Sequence, residues 1–203
     1  LSIKDLSVSI YGKPIIRNVS FKLGTGEILA LTGESGSGKS ISALALMGLL
    51  PYGSKKGGII NFEGKDLNKI TETNFCKLRG KKISMVFQEP MTALNPVLSI
   101  GKQIAETLVQ HKACAPNELK NLVRKTMDRV GLQNIKPSRF PHELSGGQRQ
   151  RVVIAMAVCL QPKVLIADEP TTALDVTTQS KILALLRDFA KKDRKSGSAG
   201  MPR

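Results

Sequence analysis

The sequence predicts an α/β fold, a parallel sheet with an antiparallel β subdomain at its start and a helical subdomain set into it. Three observations carry this. The opening stretch alternates apolar and polar residues in short runs broken by "YGKP" and "GTGE", which is the grammar of hairpins. Three apolar runs, "EILALT", "KKISMVFQ" and "KVLIAD", recur as core strands between helical stretches. Between the second and third runs, residues 99–130 are helical in pattern, with Leu119, Leu122, Val123, Met127 and Val130 on one face. Strand, helix, helical insert, helix, strand and helix is the order of an α/β protein.

Each element follows from its own residues. The opening hairpin is expected to form an antiparallel edge feeding a buried strand, "EILALT". The next stretch, "KSISALALMGLLP", is nearly all apolar and reads as a buried helix stopped by Pro51. "GGIINFEGKDL" reads as a short strand and turn, and Gly131 stands where the insert's helix needs a C-terminal cap. A last helix, "TTQSKILALLRDFAKK", has Ile182, Leu185, Leu186 and Phe189 apolar. Charge, glycine and serine then take over, so residues 191–203 are expected to be a disordered tail.

A chain of 203 residues supports one domain, 1–203, with a helical subdomain over about 90–160. Apolar residues make up 41% and charged residues 23%, which suits a folded globular protein. The longest apolar run, "VVIAMAVCL", is far short of the roughly 20 residues of a membrane span. No secretory signal pattern is visible. Cys76, Cys114 and Cys159 are odd in number and lack metal-ligand spacing, so they read as free thiols in a reducing compartment. The net charge of +15 lies in clusters such as Lys77, Arg79, Lys81 and Lys82. Charge alone leaves open a solvated surface or attraction to anionic lipid, nucleotide or nucleic acid.

Residues 33–40, "GESGSGKS", fit G-x-x-x-x-G-K-[ST] with no mismatch, between a predicted strand and a predicted helix. This is a phosphate-cradling loop made of Gly33, Glu34, Ser35, Gly36, Ser37, Gly38, Lys39 and Ser40. Its backbone N–H groups turn inward onto phosphate oxygens, aided by the helix N-terminus. Lys39 is placed to reach the β- and γ-phosphates and Ser40 to ligate Mg²⁺. The run "KVLIADEP" ends in Asp168 at the sheet's C-terminal edge, where open α/β sheets bind ligands. Asp168 is the candidate Mg²⁺ ligand, and Glu169 the candidate catalytic acceptor of a proton from attacking water.

In "ELSGGQRQRVVIAMA", Ser145 and Gln148 are spaced as a capping box, while Gly146 and Gly147 leave the first helical N–H groups uncovered. A well-capped helix and an anion site both satisfy this pattern. Taken together, the motifs resemble the ATPase domains of ABC transporters, over almost the whole chain to about Ala190. "LSGGQ" is that family's signature, and around it stand the phosphate loop, Gln88 of a Q-loop in "VFQEP", the strand "VLIADE", and a D-loop "TALD" ending at Asp175. The fold this implies is a P-loop NTPase core. More narrowly, "VFQEPMTALNPVLSIGKQIAETL" and "FPHELSGGQRQRVVIAMA" look like the subgroup serving dipeptide, oligopeptide and nickel import.

The resemblance implies ATP and Mg²⁺ as cofactors, with Tyr11 stacked on adenine and Gln88 as a further ATP and Mg²⁺ contact. It implies that Ser145, Gly146, Gly147 and Gln148 meet the ATP of a second ABC ATPase subunit. The other implied partners are transmembrane permease subunits, which the stretch after Gln88 would approach, and indirectly an extracytoplasmic solute-binding protein. No nucleic acid is expected, and the implied location is the cytoplasmic face of the inner membrane. The family also carries a switch histidine one strand beyond the last helix here, and neither His111 nor His142 is placed to replace it. On that basis the C-terminal part of the domain is expected to be missing, with ATP binding outlasting hydrolysis. Two other readings stand beside the importer: a soluble ABC-type ATPase acting on nucleic acid, and an inactive truncated fragment. Which solute is carried is not legible in these motifs.

Overall fold

The computed structural model describes residues 1–88, 90–171 and 174–197. Glu89 of the Q-loop stretch, Thr172 and Ala173 of the D-loop, and the end of the tail from Ser198 lie outside the described residues. The chain divides into two compact units: Leu1–Cys76 together with the chain from Ala184 onward, and Lys77–Leu183.

The first unit is built on an antiparallel sheet in the order β2-β1-β3-β4, with β1 over Ser2–Ile10, β2 over Lys13–Lys22, β3 over Ser54–Phe62 and β4 over Lys65–Asp66. Tyr11 and Gly12, with φ of 48° and 81°, make the two-residue turn between β1 and β2. Positive φ at both positions matches the turn to the twist of the strands. Ile3, Leu6, Val8, Ile16, Ile60 and Phe62 supply the buried face. Helix α1 spans Lys39–Met47 and stops at Gly48, whose φ of 63° turns the chain so that Leu49 N–H reaches Leu44 O at 2.9 Å. The expected stop at Pro51 is therefore early by a left-handed glycine cap. Helix α2 follows at Glu72–Leu78.

The predicted strand "EILALT" does not form: residues 27–32 are in no strand, and Ile28, Leu29 and Leu31 are 64%, 43% and 44% exposed. The residues have strand character, but a strand exists only through a ladder partner. Among the described residues none pairs with this segment.

The second unit holds a parallel pair, β5 at Ile83–Val86 and β6 at Val164–Ala167, in the register Ile83↔Val164 to Val86↔Ala167. Its helices are α3 (Pro90–Ala93), α4 (Ile100–Gln110), α5 (Leu119–Arg129) and α6 (Gly146–Val158). Ile100, Ile104 and Leu108 of α4, Val123 and Met127 of α5, and Val152 and Ile154 of α6 are buried. At about 1.5–3 kcal/mol per fully buried aliphatic side chain, they form this unit's main stabilising cluster. Gly131, with φ 77°, follows α5 as expected, and the N–H of Leu132 closes the cap onto Met127 O at 2.9 Å.

Helix α7 runs Val176–Gly197. Residues 191–197, the first part of the expected tail, continue the backbone helix. Lys, Asp, Arg and Ser continue a helix at little cost, and no glycine or proline intervenes before Gly197. No helix among the described residues is long and apolar enough to cross a membrane.

Candidate functional site

The phosphate loop is shaped by its glycines. Gly38 has φ 91° and caps α1 from the left-handed region, and a Cβ there would lie 3.1 Å from Ile16 and 3.3 Å from Ile15 O. Only glycine meets both conditions. No acidic residue lies in the first turn of α1 and no side chain caps it, so its leading N–H groups stay available to an anion. Lys39 Nζ donates to Gly33 O and Glu34 O, both at 2.8 Å, which holds the ammonium over the loop. Ser37 N–H closes the turn onto Glu34 O at 3.2 Å. Ser40 is half-buried at the second helical position.

In the second unit the parallel register governs what meets. Val86 pairs with Ala167, and Asp168 N–H extends the ladder to Val86 O at 3.0 Å. Gln88 and Glu169 therefore leave the sheet side by side, and the Gln88 amide donates to Glu169 Oε2 at 2.8 Å. Glu169 has φ 43°, a left-handed conformation uncommon for a residue with a side chain. Asp168 is half-buried and Glu169 exposed at the same C-terminal edge.

The capping box at the start of α6 is present in both directions. Gln148 N–H donates to Ser145 Oγ at 3.3 Å, and Ser145 N–H donates to Gln148 Oε1 at 3.0 Å. Asp175 begins α7 by accepting from Thr178 N–H at 2.9 Å, and hydrogen bonds from Thr178, side chain first and then backbone, hold its carboxyl below the usual carboxylate range. The two helix starts touch. A Cβ on Gly147 would lie 2.6 Å from Thr178 Cγ2, and one on Gly146 3.6 Å from Leu174 Cδ2. Thr178 was not among the residues the sequence singled out. Its only signal was its place in the first turn after Asp175.

Tyr11 is 75% exposed, with its N–H bonded to Gly53 O at 3.0 Å and its ring over Gly53. His111 ends α4 beside Gly80, and His142 stacks on Phe140 in a 3₁₀ turn at Pro141–Glu143.

The ABC transporter family matches residues 16–172 of this sequence. The chain belongs to the ABC transporter family. Its ABC cassette is 50% identical over 200 residues to the oligopeptide transport ATP-binding protein OppD of Bacillus subtilis (strain 168), covering 95% of this chain and 56% of that protein. It is 46% identical to AppD, an oligopeptide transport ATP-binding protein of the same organism, covering 95% and 61%. The cassette thus spans a little over half the length of these relatives. Among solved structures, the dimeric post-hydrolysis state of the ATP-binding cassette MJ0796 bound to ADP and Pi superposes with a TM-score of 0.81 at 29% identity, covering 95% of this chain and 83% of that one.

Proposed function

We propose that this chain is the ATP-binding part of a membrane importer of peptides, in which ATP-driven dimerisation and hydrolysis power transport. The observation that carries the reading is the phosphate loop. Lys39 already holds its ammonium among oxygen acceptors, at the mouth of a helix whose first N–H groups have no side-chain cap. A phosphate oxygen is a stronger acceptor than either carbonyl, and the ammonium has a third N–H to offer it.

Each remaining residue then has a role its chemistry allows. Glu169, exposed and held by Gln88, is the base for water. The start of α6, with small Gly146 and Gly147, offers its N–H groups to the ATP of a second cassette, and Tyr11 offers an exposed ring to adenine. Ser40, Asp168 and Gln88 provide hydroxyl, carboxylate and amide oxygens, hard donors that suit Mg²⁺. Among the described residues no cluster of three or more carboxylate, histidine or cysteine side chains holds a metal alone. When bound, Mg²⁺ would neutralise charge on the phosphates. Permease subunits at the inner membrane, and a solute-binding protein beyond them, complete the machine. The relatives' names favour peptides over nickel as cargo.

The test has two arms. Titration of the purified chain with a fluorescent ATP analogue is expected to show binding that Lys39→Ala abolishes. Uptake of a radiolabelled oligopeptide by the assembled transporter in membrane vesicles is expected to require ATP and Lys39, with nickel uptake as the comparison. Binding without any peptide uptake would sink the importer reading and leave the nucleotide site standing.

A further inference from the structure

The N-terminal turn of α4 holds an arrangement that none of these roles uses. Gln103 is 3% exposed, a polar side chain on the face that otherwise buries Ile100, Ile104 and Leu108. Its amide is spent on the loop at 95–98. Gln103 Oε1 accepts from Asn95 N–H at 2.9 Å, and Nε2 donates to Asn95 O at 3.0 Å and to Leu98 O at 2.9 Å. Asn95 finishes the loop, its Oδ1 accepting from Val97 N–H at 3.0 Å and its carbonyl from Leu98 N–H at 3.3 Å. Val97 projects from it, 76% exposed.

The same turn is fastened on its other side. Ile100 N–H donates to Arg139 O at 2.9 Å and Gly101 N–H to Pro137 O at 2.8 Å. A Cβ on Gly101 would sit 2.6 Å from Pro137 Cβ, so the approach depends on glycine. From Arg139 the chain passes through the 3₁₀ turn at Pro141–Glu143 to Ser145, the cap of α6.

We propose that Gln103 is a positioning residue. It locks the exposed loop at 95–98 to the first turn of α4 and, through Ile100 and Gly101, to the segment leading into Ser145, so that loop and signature move as one piece. A buried amide with its hydrogen bonds made tolerates little displacement, because each slipped bond strands a polar group out of water. The consequence for transport rests on the importer reading, in which the stretch after Gln88 faces membrane subunits. A push on Val97 would then be felt at the start of α6, and nucleotide closure there would be felt at Val97.

Amide hydrogen exchange on the purified chain, with Gln103→Met and Gln103→Glu, tests the lock. Methionine keeps the volume and removes the polar atoms. Exchange at Asn95, whose N–H loses its Gln103 acceptor, is expected to accelerate about tenfold, while Ile104 and Leu108 keep their wild-type protection and report an intact helix. Glutamate keeps an acceptor for Asn95 N–H, so Asn95 recovers protection in Gln103→Glu. Wild-type exchange at Asn95 in Gln103→Met would overturn the lock. In the assembled transporter in proteoliposomes, Gln103→Met is expected to keep basal ATP turnover and lose peptide-stimulated turnover. Accelerated exchange with full stimulation would overturn the transmission. If the wild-type complex ignores peptide, the importer reading fails instead, and the exchange data still decide whether the lock exists.

Discussion

Gln88 and Glu169, 81 residues apart in sequence, share a hydrogen bond of 2.8 Å at the C-terminal edge of the parallel pair. The bond is a direct product of register, since each residue stands two beyond the paired Val86 and Ala167. It gives Glu169 a fixed neighbour while leaving the carboxylate exposed.

Glu169→Gln retains the shape and removes the proposed base, so ATP turnover is expected to fall about 10²–10⁴-fold with nucleotide affinity preserved. Gln88→Leu is expected to lower turnover less, by releasing Glu169 from its position. Phosphate release paired with fluorescent-nucleotide titration separates the two effects. Equal losses of affinity and turnover would reassign both residues to binding.

The contact between Gly147 and Thr178 predicts a different signature. Gly147→Ala drives a methyl toward Thr178 Cγ2 and is expected to cost about 1–3 kcal/mol by overpacking. Thr178→Ser, which removes that methyl, is expected to restore most of the loss in the double variant. Urea unfolding of the four proteins in a double-mutant cycle measures the coupling. Additive losses would show that the two helix starts do not bear on each other.

Cys159 and Cys76 are expected to react very differently. Burial pushes the Cys159 thiol up to about 11, while Cys76 is exposed. Iodoacetamide at pH 8 is expected to label Cys76 readily and Cys159 only after denaturant is added. The sign of the linkage follows. Because the folded value is raised above the ordinary 9.0, the stability it contributes is complete below pH 9 and is lost as pH rises toward 11. Stability that stayed flat over that window in wild type, compared with Cys159→Ala, would contradict it.

Asp175 titrates in the opposite direction. Its carboxyl is held below the ordinary 3.8, so the cap on α7 contributes fully above that pH and is lost as pH falls through the lower folded value. The difference in urea midpoint between wild type and Asp175→Ala is expected at pH 7 and at pH 4. It should fade only in stronger acid.

The sequence was most readable where local chemistry alone fixes the conformation. Gly38 must be glycine for its φ, Ser145 and Gln148 cap each other across three residues, and Gly131 ends a helix; each needs only its neighbours. Misreadings came where a partner decides. "EILALT" has the composition of a core strand, yet Ile28 is 64% exposed because no described strand lies beside it. Gln103 was not singled out, although its place three residues after Ile100 sets it on the buried face of α4. Thr178 and the Gln88–Glu169 bond depend on which helix start and which register meet, and spacing along one chain does not carry that information.

The two carbonyls that hold Lys39 also set its direction. Gly33 O and Glu34 O take two of the ammonium's three N–H donors at 2.8 Å each. The third is left with its orientation fixed by the loop, a pre-set donor whose use requires the loss of neither carbonyl.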